Sequence, residues 1–175
     1  MAVETNDVIE TREDGVAILT LNRPDRMNAL SRPMMAYLSE ALPRLAADPD
    51  VGCVVVTGAG RGFCAGGDVK AMNERNAGQP ETFESRVHNL RQGMEASRWL
   101  HEMPKPTIAM INGPAAGAGR SLALACDLRT CAASARLTTA FAKVGFSGDY
   151  GGTYFLSKLI GTAKARELYF LADVI

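Results

Sequence analysis

The feature that most constrains this chain is a pair of small-residue clusters. One is Phe63-Cys64-Ala65-Gly66-Gly67-Asp68-Val69; the other is Asn112-Gly113-Pro114-Ala115-Ala116-Gly117-Ala118-Gly119. Each follows a strand-like apolar run and opens a helix-like one. Gly and Ala at such a junction allow very close approach to the backbone, and the first N–H groups of a helix lack intrahelical acceptors. Brought together, two such openings present one N–H each to a single oxygen, which is the arrangement of an oxyanion hole. A chain that repeats strand, loop and helix in this way falls in the α/β class.

The rest of the chain follows the same rhythm. Val16–Leu21 reads as a buried strand, with 8–12 pairing to it across Glu13-Asp14-Gly15. Ser31 is placed to cap a helix with Pro33 in its first turn, and Met35, Leu38, Leu42 and Leu45 fall on one face of it. Pro43 is expected to interrupt and bend that helix. Strands are expected at 53–57, 107–111, 127–132 and 136–139, and helices at 68–75, 81–102, 117–125, 151–160 and 162–172, with a break at 77–80. No linker or low-complexity segment divides the chain, so residues 1–175 are read as one core domain.

Bulk composition narrows the function. The 175 residues are 47% apolar and 22% charged with zero formal net charge, which carries no nucleic-acid footprint. Cys53, Cys64, Cys126 and Cys131 show no Cys-x-x-Cys spacing and are accompanied by two histidines, so no metal site is expected. Reduced thiols and an acidic start without an apolar signal core point to the cytoplasm. No apolar run reaches membrane-spanning length. Two phosphate-binding readings of the glycines fail on single residues. The segment 54–60 lacks the third glycine of a dinucleotide fingerprint, because position 63 is Phe. Pro114 and Arg120 stand where a phosphate loop needs Gly and Lys.

Together with Leu21-Asn22-Arg23-Pro24-Asp25-Arg26-Met27-Asn28-Ala29-Leu30 upstream, and Leu122-Ala123-Leu124-Ala125-Cys126-Asp127 and Gly151-Gly152-Thr153 downstream, the two clusters resemble the enoyl-CoA hydratase/isomerase (crotonase) superfamily. The resemblance runs from about Val16 to Ile175 and implies a spiral of ββα units. It also implies an acyl-CoA thioester as substrate, with no further cofactor and no metal. The thioester oxygen would sit between the N–H groups of Gly67 and Ala118. Arg26 and Ala29 would meet CoA phosphate and adenine. Ala65, Gly66, Asp68 and Val69 would line the CoA path, mainly with backbone groups, the Asp68 carboxylate itself being read as structural. Lys70 would add a phosphate contact, and Ser121 and Tyr150 would line the acyl pocket, with Tyr150 able to donate a hydrogen bond.

The acid/base group decides the reaction. Hydratases of this family use two glutamates, which would fall at Ser121 and near Phe141. Neither is a carboxylate here, so the two-glutamate mechanism lacks both its base and its acid. Asp149 stands before the Gly151-Gly152 pair, as in isomerase branches, with Gly148 replacing the usual proline. One carboxylate can carry a proton from one carbon to another, which is isomerisation. The competing role for Asp149 is to cap the helix that starts near Gly151. Alternatives kept open are a hydratase using other carboxylates and a non-catalytic acyl-CoA-binding protein. Family chains usually run longer and form trimers or hexamers through C-terminal helices, so the short C-terminus suggests truncation before that region.

Overall fold

The computed structural model describes residues 5–76 and 81–175; the break expected at 77–80 lies outside the described residues. Along the chain run β1 (Val8–Glu13), β2 (Val16–Leu21), α1 (Arg32–Ala47), β3 (Cys53–Gly58), α2 (Val69–Asn76), α3 (Phe83–Glu102) and β4 (Thr107–Ile111). There follow β5 (Ala115–Ala116), α4 (Gly117–Ala125), β6 (Leu128–Cys131), β7 (Leu137–Thr138), α5 (Gly152–Ile160) and α6 (Thr162–Leu171). Strands β1 and β2 form an antiparallel hairpin turning at Asp14-Gly15. Parallel pairing then extends the sheet in the order β1-β2-β3-β4-β6, while β5 and β7 form a separate short ladder.

Alternation along the strands decides which face is covered. Ala17, Leu19 and Leu21 of β2, Val54 and Val56 of β3, and Ala109 and Ile111 of β4 are buried together with Met34, Leu38, Leu42 and Leu45 of α1. The residues between them, such as Ile18, Val55 and Ile108, are only half-buried. The helices therefore return across one face, and the chain winds in successive strand–helix turns, the α/β spiral expected above.

Helix α1 begins as the sequence suggests: Ser31 Oγ accepts from Met34 N at 3.1 Å, with a proline in the first turn. It does not stop at Pro43, which lies inside a continuous helix. A proline removes one intrahelical bond and crowds the preceding turn. Here Leu38, Ala41, Leu42 and Leu45 are buried on both sides of it, so packing carries the helix through. Lys105 Nζ donates to the carbonyls of Leu45 and Asp48, which closes the far end.

The hairpin is tied to α1 by a charged cluster around Glu10. Arg44 donates two bonds, at 2.5 and 3.1 Å, Tyr37 Oη donates at 3.0 Å, and Arg12 Nε donates at 3.2 Å. The Arg44 guanidinium holds the Glu10 carboxyl below its usual range, against partial burial, with Tyr37 and Arg12 adding to the effect. A carboxylate depressed in the fold stabilises above its unfolded value, about 4.3, and loses that contribution as pH falls through the folded value. The urea midpoint is therefore expected to fall as pH drops below about 4.3. In Glu10→Gln the midpoint should start lower at neutral pH and decline less steeply over the same window.

Candidate active site

The two small-residue clusters lie side by side at the C-terminal ends of β3 and β4. Phe63 N and Cys64 N donate to Pro114 O at 3.0 and 3.2 Å, and Ala116 N returns a bond to Cys64 O at 2.9 Å. Buried Asn28 braces the first loop: its Nδ2 donates to Ala59 O and Gly62 O at 2.9 and 2.8 Å, and its Oδ1 accepts from Arg23 N at 2.8 Å. Asn112 Nδ2 holds the same loop through Gly60 O at 2.9 Å. Gly66 has a φ of +90°, and a Cβ there would lie 2.7 Å from Ala116 O and 3.3 Å from Ala118 N, so only glycine allows this approach. Gly67 thus lies in the loop that touches the first turn of α4. The Gly67 N–H is not among the loop and turn bonds of the described residues. Ala118 is the second residue of α4, where an N–H has no acceptor in a preceding turn.

The strip expected to meet CoA is assembled beside this pair. Ala65 N donates to Met27 O at 2.9 Å and Leu30 N to Gly66 O at 2.8 Å, which lays residues 26–30 along 65–68. Arg26, Ala65, Val69 and Lys70 are exposed on it, whereas Ala29 is buried. The Asp68 carboxylate is engaged inside the protein. Oδ1 accepts from Ala71 N at 3.1 Å at the start of α2, and Oδ2 accepts from Arg23 Nη2 at 3.0 Å. These bonds, the Ala71 amide first, hold it below the usual aspartate range. It thus ties the start of α2 to Arg23.

Asp149 arrives from the other side. The turn before α5 puts Gly148, Tyr150 and Gly151 at φ of +108°, +52° and +73°. The N-cap of α5 is Gly151, with no side-chain cap bond, so Asp149 does not cap the helix. Its Oδ1 is buried without a hydrogen-bond partner among the described residues. Burial pushes its pKa up to about 6. Phe141 packs between Gly117 and Gly148, and Ser121 lies against Gly152, so this turn is packed against α4 close to the loop pair. Ser121 Oγ is buried and donates to Gly117 O at 3.2 Å, four residues back along α4. Tyr150 reaches toward α3: a Cβ on Gly93 would lie 2.8 Å from its Oη. Tyr150 also lines a cleft of about 460 Å³ between α3 and α5, with Met94, Ser97, His101 and Phe155. Asp149 does not line that cleft.

Residues 11–175 match the family model described as enoyl-CoA hydratase/isomerase. The chain belongs to the enoyl-CoA hydratase/isomerase family. It is 41% identical over 161 residues to the 1,2-epoxyphenylacetyl-CoA isomerase of Escherichia coli, covering 92% of this chain and 61% of that relative. It is 36% identical over 174 residues to the short-chain-enoyl-CoA hydratase of Clostridium acetobutylicum, covering 99% of this chain and 64% of the relative. Among solved structures, the enoyl-CoA hydratase of Polaromonas sp. JS666 superposes with a TM-score of 0.88 at 35% identity, over 96% of this chain and 64% of that one. The chain thus spans about three fifths of the length of the curated relatives it matches.

For a member of the enoyl-CoA hydratase/isomerase family, the sequence motifs located the loops and the carboxylate but missed several supports. Asn28, inside the upstream motif, is fully buried as the brace of the first loop; a lone Asn among apolar neighbours was the available signal. Gly93 offered no local signal, because what crowds it is Tyr150 Oη, in the turn before α5. Tyr169 of α6 was also missed, and it bears directly on the Asp149 turn. Among the described residues no group of three His, Cys, Asp or Glu gathers as metal ligands, and no helix is long and apolar enough to cross a membrane.

Proposed function

We propose that this protein is an acyl-CoA isomerase that moves a proton between carbons of an acyl thioester through an enolate. The observation that carries the reading is Asp149, a carboxylate with one oxygen buried and unpartnered and a pKa raised to about 6. A group poised in this way can accept a proton near neutral pH and return it. The Gly67 and Ala118 N–H groups receive the thioester oxygen. As the proton leaves the carbon beside the thioester, the C–H electron pair delocalises onto that oxygen, and the two donors stabilise the charge. Asp149 then returns the proton to the γ carbon of an unsaturated chain, so the double bond shifts and the mass is unchanged. No electron leaves the substrate, so the step calls for no redox group; coenzyme A is part of the substrate. Arg26 and Lys70, exposed beside the loop pair, fit its phosphates, and the backbone of 65–69 fits its pantetheine arm.

Ser121 and Phe141, where hydratases of the family carry glutamates, support isomerisation over hydration. Phe141 is buried and apolar, and the Ser121 hydroxyl is already bonded. The relative named as a short-chain-enoyl-CoA hydratase is the observation that favours hydration as the second reading. A homotrimer or hexamer, with a C-terminal region supplied, is the proposed assembly, and the exposed apolar residues Tyr154, Phe170 and Leu171 on α5 and α6 support it. The test is a panel of acyl-CoA thioesters, including 3-hexenoyl-CoA, crotonyl-CoA and 1,2-epoxyphenylacetyl-CoA, read by calorimetry and product mass. A rearranged product of unchanged mass is expected. A gain of water selects the hydratase, and binding without product selects a non-catalytic acyl-CoA-binding protein.

A further inference from the structure

Tyr169 of α6 crosses the Asp149 turn at both of its ends. A Cβ on Gly148 would lie 3.0 Å from Tyr169 Cε1, and one on Gly152 would lie 2.6 Å from Tyr169 Oη while also running into Ser121 Oγ. The Tyr169 ring is itself fixed: it stacks on Phe141 with centroids 6.1 Å apart and planes 1° from parallel. Phe141 in turn rests against Gly117, the first residue of α4. Two stacked aromatic rings thus join the N-terminus of α4 to the turn that carries Asp149. That turn needs a clamp, because Gly148, Tyr150 and Gly151 all have positive φ and Asp149 Oδ1 has no bond of its own.

The charged surroundings of Tyr169 are consistent with a link rather than simple packing. Burial raises its phenol to about 12, with the Arg120 cation of α4 opposing and the Asp149 carboxylate reinforcing. Arg120 is 5% exposed, and its Nε has no hydrogen-bond partner among the described residues. The Asp149 carboxylate raises the phenols of Tyr150, in its own turn, and of Tyr169, in α6, and Arg120 opposes it at Tyr169.

We propose that Tyr169 is a positioning residue for proton transfer: its ring against Gly148 and its hydroxyl against Gly152 fix the direction in which Asp149 presents its carboxylate. The inference rests on Asp149 as the proton carrier. The experiment follows exchange of the α-protons of phenylacetyl-CoA for deuterium in D2O, by mass and across pH, for the wild-type chain, Asp149→Asn, Tyr169→Met and Tyr169→Phe. Misplacing a reacting group by about 1 Å can slow its step about 100-fold. Tyr169→Met is expected to show a loss of about that size and a displaced acid limb, with binding of phenylacetyl-CoA retained. Tyr169→Phe, which keeps the ring against Gly148 and loses the hydroxyl against Gly152, should recover part of the rate and of the limb.

Wild-type exchange and an unmoved limb in Tyr169→Met, with Asp149→Asn inert, would overturn the clamp and leave the Asp149 reading standing. Equal losses in Met and Phe variants with the limb in place would overturn the clamp, because the loss would then follow the hydroxyl and not a displaced carboxylate. No exchange by the wild-type chain, or undiminished exchange in Asp149→Asn, would overturn the underlying reading and the clamp with it. Should Tyr169→Met fail to fold by circular dichroism, Tyr169→Leu, which also removes the ring and the hydroxyl, decides by the same two readings.

Discussion

Replacing Asp149 with Asn is expected to slow proton transfer by about 10²–10⁴-fold while acyl-CoA binding is retained. The amide is nearly isosteric and cannot accept the proton. In the wild-type chain the rate should climb with pH through about 6, where the buried carboxyl ionises, and flatten above it. The variant should lack that limb. Stability moves the other way. An acid whose pKa is raised by burial favours the folded state while protonated, and this advantage is lost as pH rises from the unfolded value, about 3.9, to the folded one. Asp149→Asn is therefore expected to melt higher than wild type above pH 6 and to lose that margin below about pH 4. Turnover followed by product mass and melting followed across pH check the two halves separately. Unchanged turnover would remove Asp149 from the chemistry whatever the melting showed.

Ala118→Pro is expected to cost about 3 kcal/mol of transition-state stabilisation, or 10²–10³-fold in turnover. Proline removes the N–H and adds ring atoms where Ala118 N lies close to Gly66. The first turn of a helix tolerates it, because the lost N–H has no intrahelical partner. Ala118 is the second residue of α4, so the helix should persist by circular dichroism. Comparison with Ala118→Gly, which keeps the N–H and removes the methyl, separates the donor from the shape of the pocket. A proline variant as fast as wild type would show that the thioester oxygen is held elsewhere.

Several elements were legible in the sequence because their signals are local. The alternation of Val16–Leu21, the Ser31 cap, and the Gly-Ala opening of α4 each lie within one turn or one strand. The motifs also led to Gly67, Ala118 and Asp149 by number. Pro43 was misleading for the opposite reason: its local preference to stop a helix was overridden by buried leucines whose partners lie on the sheet. In the two-residue ladder, β7 falls inside the strand expected at 136–139, whereas β5, shorter than one alternation, carried no periodicity to read.

What the sequence by itself determined is the α/β order, the small-residue loops able to come close, and the carboxylate on a glycine-rich turn. Only the tertiary structure decided that the two loops meet, through bonds such as Phe63 N to Pro114 O that join residues far apart in the chain. It also decided that Asp149 leaves its helix uncapped and keeps an unpartnered oxygen under buried side chains. The physical reason is range. Propensity and capping act between near neighbours, whereas desolvation and close packing sum over α3, α4 and α6, which no local pattern around Asp149 records.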